Sequence, residues 1–381
     1  MKKVYLDNAA STPVFEEVIT EMSNAMRSMY GNPSSTHQFG RTAKAAIENA
    51  RKTIAKQLGV AASELIFTSG GTEANNLILT NAVQNLGVTR IISTEIEHHA
   101  VLNTIEELKI SSQVQIDYVG VDSNGIVDLV HLRALLADNK HKTLVSLMFV
   151  NNEIGTILDL EKTAGICREY NALFHSDAVQ AIGHFDLDLS LLGVDFISAS
   201  AHKFHGPKGV GFAYFKKGYG VKPMLLGGSQ EKGARAGTEG VHTIIGMAKA
   251  LEICTSKVAE DVQYIKDLKQ YCINLFKKEV PEIRFNGGSD NLAQTTVTVL
   301  NIRLPIELPF LLFNLDLKGI AVSGGSACQS GANNGSHVLR AVLPVEETLK
   351  TSLRLSFSML TTKEEIAYVV TELKELIQKN N

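Results

Sequence analysis

The sequence has no apolar run approaching the ~20 residues that a membrane-spanning helix needs, and no block of five or more like charges. The first absence gives no ground for a membrane role. The second, with 37 basic and 40 acidic side chains and a formal net charge of −3, gives none for a nucleic-acid partner. At the N-terminus two lysines precede only three apolar residues before Asp7, so the apolar core of a signal peptide is missing and a cytoplasmic location is expected. There is no internal repeat and no Pro/Ser-rich tract, while 44% hydrophobic and 20% charged residues match a chain folded throughout. Cysteine is scarce too. Cys167, Cys254, Cys272 and Cys328 show no C-x-x-C spacing, which argues against both a zinc site and a disulfide framework. The first three fall in helical patterns, where a thiol behaves as a small buried hydrophobe. Cys328 stands apart in SGGSACQSGANNGS, a polar, glycine-rich loop that offers a packing residue little reason to be there.

What is present is a rhythm. At 381 residues the chain exceeds what one core usually supports, and two domains are expected. From Glu64 to Phe215 the runs ELIFT, RIIST, QIDYV, TLVSLMFV, ALFHSDA, DFISAS and GVGFAYF alternate with helical patterns. That alternation predicts an α/β fold with a mostly parallel sheet covered by helices on both faces. Ligands in such sheets collect at the carboxyl ends of the strands, so chemistry is expected just after each run. A single long helix is read over about Gly240 to Lys278, able to bridge two domains. Beyond it TVTVLNI, a helix near Leu308 to Leu317, TSLRLSF and a helix from Lys363 suggest a smaller α/β domain.

Four clusters come directly after strands. SGGTEANN, with Thr72 and Glu73, combines crowded backbone N–H groups, a hydroxyl and a helix start, which suits a phosphate; a glycine turn with a Thr cap is the plain alternative. HSDAVQ places Asp177 and Gln180 where an acid can hold a proton on a ring nitrogen and an amide can donate to a ring oxygen, although Asp177 can equally cap a helix on its C-terminal side. In SASAHKFHGPKG, Ser200, His202 and Lys203 come after a strand, and Lys203 and Lys208 are both candidates for a reactive amine. The setting beside His202 and the flanking strands favours Lys203, because a Schiff-base lysine needs a depressed pKa. In EHHAVL the adjacent His98 and His99 lack a third ligand at metal spacing, and an imidazole can instead stack on a planar ring. A phosphate cradle, an acid for a ring nitrogen, a stacking ring and a lysine are together what pyridoxal phosphate requires.

The set YLDNAASTP, YGNPSSTH, SGGTEANN, EHHAVL, NNEIGT, HSDAVQ, AHKFHGPKG, RAGTE and GSAC, running from about Tyr5 to the last helix, resembles the cysteine desulfurases of the class V aminotransferase group. The resemblance implies a fold-type I, pyridoxal-phosphate-dependent transferase. Residues 15–255 would form the large cofactor-binding domain, and 1–14 with 256–381 the smaller one carrying a mobile Cys328 loop. It further implies that Lys203 carries the cofactor as a Schiff base, His98 stacks on its ring, and Asp177 and Gln180 contact the ring nitrogen and oxygen. Thr72, Ser200 and His202 would hold the phosphate, and Thr238 of RAGTE would reach the phosphate of a neighbouring subunit in a homodimer. Asn152 and Arg354 would bind the substrate, L-cysteine. Cys328 would take its sulfur as a persulfide and pass it to an acceptor protein, such as an iron-sulfur scaffold. Departures are SGGSAC for the usual SSGSAC, QSGANNG after it, and RLSFS without a glycine. A selenocysteine lyase or an aminotransferase on the same scaffold, or a noncatalytic assembly scaffold, are the alternatives.

Overall fold

The computed structural model describes residues 3–138, 140–324 and 335–380. All seven strand runs form one sheet, in the order Leu65–Thr68, Gly211–Phe215, Phe196–Ser200, Leu173–Asp177, Thr143–Ser146, Arg90–Ser93, Gln115–Tyr118. Only Gly211–Phe215 runs against the others. Successive side chains of a strand point to opposite faces, and here both faces are apolar. Phe67, Ile92, Val145, Ile197 and Phe212 join one core with the helices Gln38–Gln57 and Val241–Ser256. Their neighbours Ile66, Ile91, Leu144, Phe196 and Ala213 join a second core under Gly71–Gln84 and His99–Ser112. This double burial is why the strands read as continuous hydrophobic runs rather than as alternations.

A separate core gathers Val4 and Leu6 with Ile265, Leu268, Phe276, Leu300, Ile302, Leu353, Leu355 and Leu373. It lies on a four-stranded antiparallel sheet, Ser323–Gly324, Ser352–Ser356, Val299–Arg303, Arg284–Phe285. Val4–Tyr5 pairs in parallel with Ile320–Ala321. The predicted single helix over about 240–278 is in fact two, Val241–Ser256 and Val258–Glu279, separated at Lys257 with φ −130° and ψ 13°. Thr255 donates its hydroxyl to Leu251 O (2.9 Å) and Ser256 to Ile253 O (2.8 Å), the local bonding that bends helices. Ile244, Met247 and Leu251 of the first helix belong to the large-sheet core, whereas Ile265, Leu268 and Phe276 of the second belong to the other. The chain breaks where it changes cores. The helix read near Leu308 to Leu317 is shorter, Leu311–Asp316, because Phe310 before it sits at φ +60°. Lys363–Asn380 forms as predicted.

Cys167, Cys254 and Cys272 are each 1% exposed, and burial pushes the thiols of Cys167 and Cys254 up to about 12. They are packing residues with no thiolate at neutral pH. Cys328 lies outside the described residues. Among those that are described, no helix is long and apolar enough to cross a membrane.

Candidate active site

The carboxyl ends of the parallel strands open into a cavity of about 340 Å³. Thr72 comes after Leu65–Thr68, His98 after Arg90–Ser93, and Asn152 after Thr143–Ser146; Asp177 ends Leu173–Asp177 with Gln180 just beyond it, and Ser200 ends Phe196–Ser200 with His202 and Lys203 just beyond. Arg354 enters from the antiparallel sheet. Nine residues named from the sequence therefore share one space, eight of them at or after strand ends of the large sheet.

Lys203 Nζ donates to Ala9 O (2.6 Å) and Ala10 O (2.9 Å). Burial, then the charge of Arg354, lower its pKa to about 8 against the pull of Asp177 and Asp7. Lys208, the other candidate, is exposed and lies outside this cavity. Asp177 closes a turn rather than capping a helix, since no helix follows it directly. Its Oδ1 accepts from Val179 N (3.0 Å), closing the local turn, while Oδ2 accepts from Asn75 Nδ2 (2.7 Å), and the residue still lines the cavity. Gln180 Nε2 donates to Ala9 O (2.8 Å), so one carbonyl serves both Gln180 and Lys203. His98 Nδ1 accepts from Ala100 N (3.0 Å) as the cap of its helix, and the residue lines the cavity. Its neighbour His99 turns instead toward His337, with ring centroids 4.5 Å apart. Burial, then the charges of Lys203 and Lys208, lower His202 to about 4, so it is a neutral hydrogen-bonding group.

The phosphate-like cradle has the shape its composition predicts. Gly70 precedes the helix with φ +152°, and no side chain caps it. A Cβ on Gly71 would stand 2.5 Å from Val179 Cγ2, so glycine is what lets this turn close over the end of the sheet. Thr72, Ser200 and His202 line the adjoining hollow with Gly70 and Gly71. Glu73 lines the same adjoining hollow. It is absent from the main cavity lining, and its carboxylate accepts from Ser69 N (2.7 Å) and from Arg235 Nε and Nη2 (2.8 and 3.2 Å). Those bonds outweigh burial and hold its pKa below the usual range. It ties the glycine turn to the RAGTE segment. Thr238 lines a different hollow, with Ser69, Arg235 and Thr243. That segment comes after two left-handed residues, Glu231 (φ +46°) and Lys232 (φ +58°), and Glu231 is gripped by Arg51 through two 2.7 Å bonds.

Arg354 presents a partly engaged fork. Nη2 donates to Asp7 Oδ1 (2.9 Å) and Ser323 Oγ (3.0 Å), and Nη1 to Asn152 O (2.9 Å); among the described residues the buried Nε has no partner. Nη1 keeps a second N–H, and a guanidinium that lines a cavity suits a carboxylate. Residues given no role from the sequence complete the site: Asp7, the Ala9 and Ala10 carbonyls, Asn75, Met148 and Ser323. The run LDNAASTP was visible as a motif, yet nothing local says which side chains it meets.

Residues 4–369 match the aminotransferase class-V family. The cysteine desulfurase IscS of Dictyoglomus turgidum is 41% identical over 380 residues, covering 99% of this chain and 95% of that one. A solved NifS-like protein is similar with a TM-score of 0.90 at 36% identity, covering 99% of this chain and all of the other. The SspA protein, solved in complex with cysteine, gives a TM-score of 0.79 at 30% identity, over 94% of this chain and all of the other. With the fold-type I sheet and these full-length likenesses, the chain belongs to the aminotransferase class-V family, on its cysteine desulfurase branch.

Proposed function

We propose that the chain is a pyridoxal-phosphate-dependent cysteine desulfurase, converting L-cysteine to L-alanine and passing the sulfur through Cys328 to an acceptor protein for iron-sulfur cluster or other sulfur-cofactor assembly. The observation that carries this reading is the convergence of Lys203, Asp177, His98 and Arg354 on one cavity. The donor set fits the cofactor: an uncapped glycine turn for a phosphate, a carboxylate held in place by Asn75 and Val179, and an amine of lowered pKa. When bound, pyridoxal phosphate supplies an electron sink for charge developing at the substrate α-carbon.

The protein's residues do the rest. Thr72, Ser200 and His202 would hold the phosphate, His98 would cover the ring, Asp177 would keep a proton on the ring nitrogen, and Gln180 would donate to the ring oxygen. Asn152 and Arg354 bind the substrate, Arg354 through its carboxylate, and the unprotonated lysine amine takes the α-proton. Cys328, as thiolate, attacks the substrate sulfur: a sulfur–sulfur bond forms, the substrate carbon–sulfur bond breaks, and the carbon is protonated to give alanine. Residues 15–255 act as the cofactor-binding domain, and 1–14 with 256–381 as the smaller domain bearing Cys328. Thr238, in its separate hollow, serves a second copy of the chain in a homodimer.

Incubation with cysteine and with selenocysteine, followed by measurement of sulfide, selenide and alanine, tests the reaction. Absence of alanine from cysteine would sink it, and selenocysteine-only turnover would identify a lyase. Mass spectrometry after one turnover should find one added sulfur on Cys328. For the substrate site, Arg354→Lys is expected to raise KM for cysteine by about 10-fold or more, the worth of a charge-assisted hydrogen bond of ~1.5–3 kcal/mol. An unchanged KM would remove Arg354 from carboxylate binding.

A further inference from the structure

The turn that carries His98 is gripped from two sides. On the inside, Glu97 Oε1 accepts from Met148 N (2.7 Å) and from the Thr94 hydroxyl (3.1 Å). On the outside, His337 donates its Nε2–H to the Glu97 carbonyl (2.8 Å), across a separation of 240 residues, and its ring lies 4.5 Å from that of His99. His337 thus bonds to the residue before His98 and packs against the residue after it. The short helix it opens, His337–Val342, is seated by Val338, Leu339 and Val342 against Ile96 and Ile154. Ser336 caps that helix at Leu339 N (2.9 Å) and also donates to Glu153. The seat is therefore built independently of the imidazole, and the His337 bond to Glu97 O is an addition directed at the turn.

We propose that His337 is a positioning residue for His98, holding the Glu97–His99 turn so that the His98 ring faces the cavity. The inference rests on the reading that His98 covers the cofactor ring. His98 makes one bond that orients its ring, from Ala100 N to Nδ1, and that bond fixes the ring only relative to the helix start. Where the helix start itself sits is decided by what holds Glu97. Inside, that is the Met148 and Thr94 contacts to the side chain; outside, it is His337 on the backbone.

The test compares His337→Leu, which removes the donor, with His337→Gln, whose amide can reach the same carbonyl. Because a misplacement of ~1 Å can cost up to 10²-fold, kcat for alanine formation should fall about 10-fold in the Leu variant and stay within about 2-fold in the Gln variant. KM for cysteine should move little in either. Imidazole 1H–15N spectra of the full-length protein without added cofactor give the second readout. His98 should show one tautomer, protonated at Nε2, in the parent and the Gln variant, and shifted or exchange-broadened resonances in the Leu variant. His98 resonances and kcat unchanged by His337→Leu would overturn the proposal. So would an equal loss of thermal stability in both variants with the His98 resonances unmoved, since His337 would then only seat its own helix. If the parent protein forms no alanine from cysteine, the desulfurase reading fails, while the resonance comparison still decides the role of His337.

Discussion

Replacement of Lys203 by alanine is expected to abolish the visible absorbance band of lysine-bound pyridoxal phosphate and to lower alanine formation from cysteine by at least about 10³-fold. Lys208→Ala should leave the band in place. The difference lies in position, since Lys203 reaches the cavity with its amine on the Ala9 and Ala10 carbonyls, whereas Lys208 is exposed. The lowered pKa sets the sign of the pH dependence. Only the unprotonated amine attacks a carbonyl, and its fraction grows as pH rises through the folded-state value of about 8 rather than through the ordinary lysine value of ~10.4. Uptake of pyridoxal phosphate by the cofactor-free protein, monitored by stopped-flow absorbance, should therefore accelerate between roughly pH 7 and 9 and level off above. A rate still climbing at pH 10 without a bend, or a band that survives in Lys203→Ala, would move the reactive amine elsewhere.

The second large effect is on stability. Arg51→Met is expected to cost about 3–5 kcal/mol, because it leaves the Glu231 carboxylate buried without its partner. The side chains of Arg51 and Glu231 are only 4% and 3% exposed. Their fork is reinforced on both ends: Arg51 Nη1 donates to Leu65 O (3.0 Å) and stacks 4.2 Å above the Phe67 ring, while Phe67 N donates to Glu231 Oε2 (2.9 Å). Left-handed backbone at Glu231 and Lys232 carries a steric cost for residues with a Cβ, and this fork is what holds it. Loss of the pair should also loosen the adjoining segment, where Arg235 ties to Glu73 and so to the glycine turn. Urea unfolding measures the first consequence. The double variant Arg51→Met, Glu231→Met should recover much of the loss, since a buried pair replaced by apolar groups leaves no uncompensated charge. A single-variant cost below about 1 kcal/mol would show the pair to be weakly coupled to folding.

Much of the architecture was legible because it is written in local periodicity. Runs such as RIIST and DFISAS are apolar at the positions that a doubly covered strand must bury. Strand ends then located Thr72, His98, Asp177, Gln180, Ser200, His202 and Lys203 on one edge of the sheet, and the family resemblance added Asn152 and, from the other sheet, Arg354. Where the reading failed, the deciding term was not local. The stretch over 240–278 has helical periodicity throughout, and the break at Lys257 arises because its two halves pack into different cores. Glu73 lines the hollow beside the glycine turn, and only the folded arrangement shows that Arg235, 162 residues away, pairs with its carboxylate.

The same division runs through the site. Residue order alone determined that an amine, a carboxylate, an imidazole and a glycine turn come after successive strands, since a parallel sheet brings all strand ends to one side. Tertiary structure decided what each group meets there. Lys203 rests on Ala9 and Ala10 across more than 190 residues, Arg354 on Asp7 across 347, and Glu97 on His337 across 240. No periodicity encodes such pairings, because they depend on how two separately cored units pack against each other. Burial and the charge of Arg354, met only in the folded chain, lower the amine's pKa, and the long-range contacts engage the guanidinium and hold the imidazole's turn.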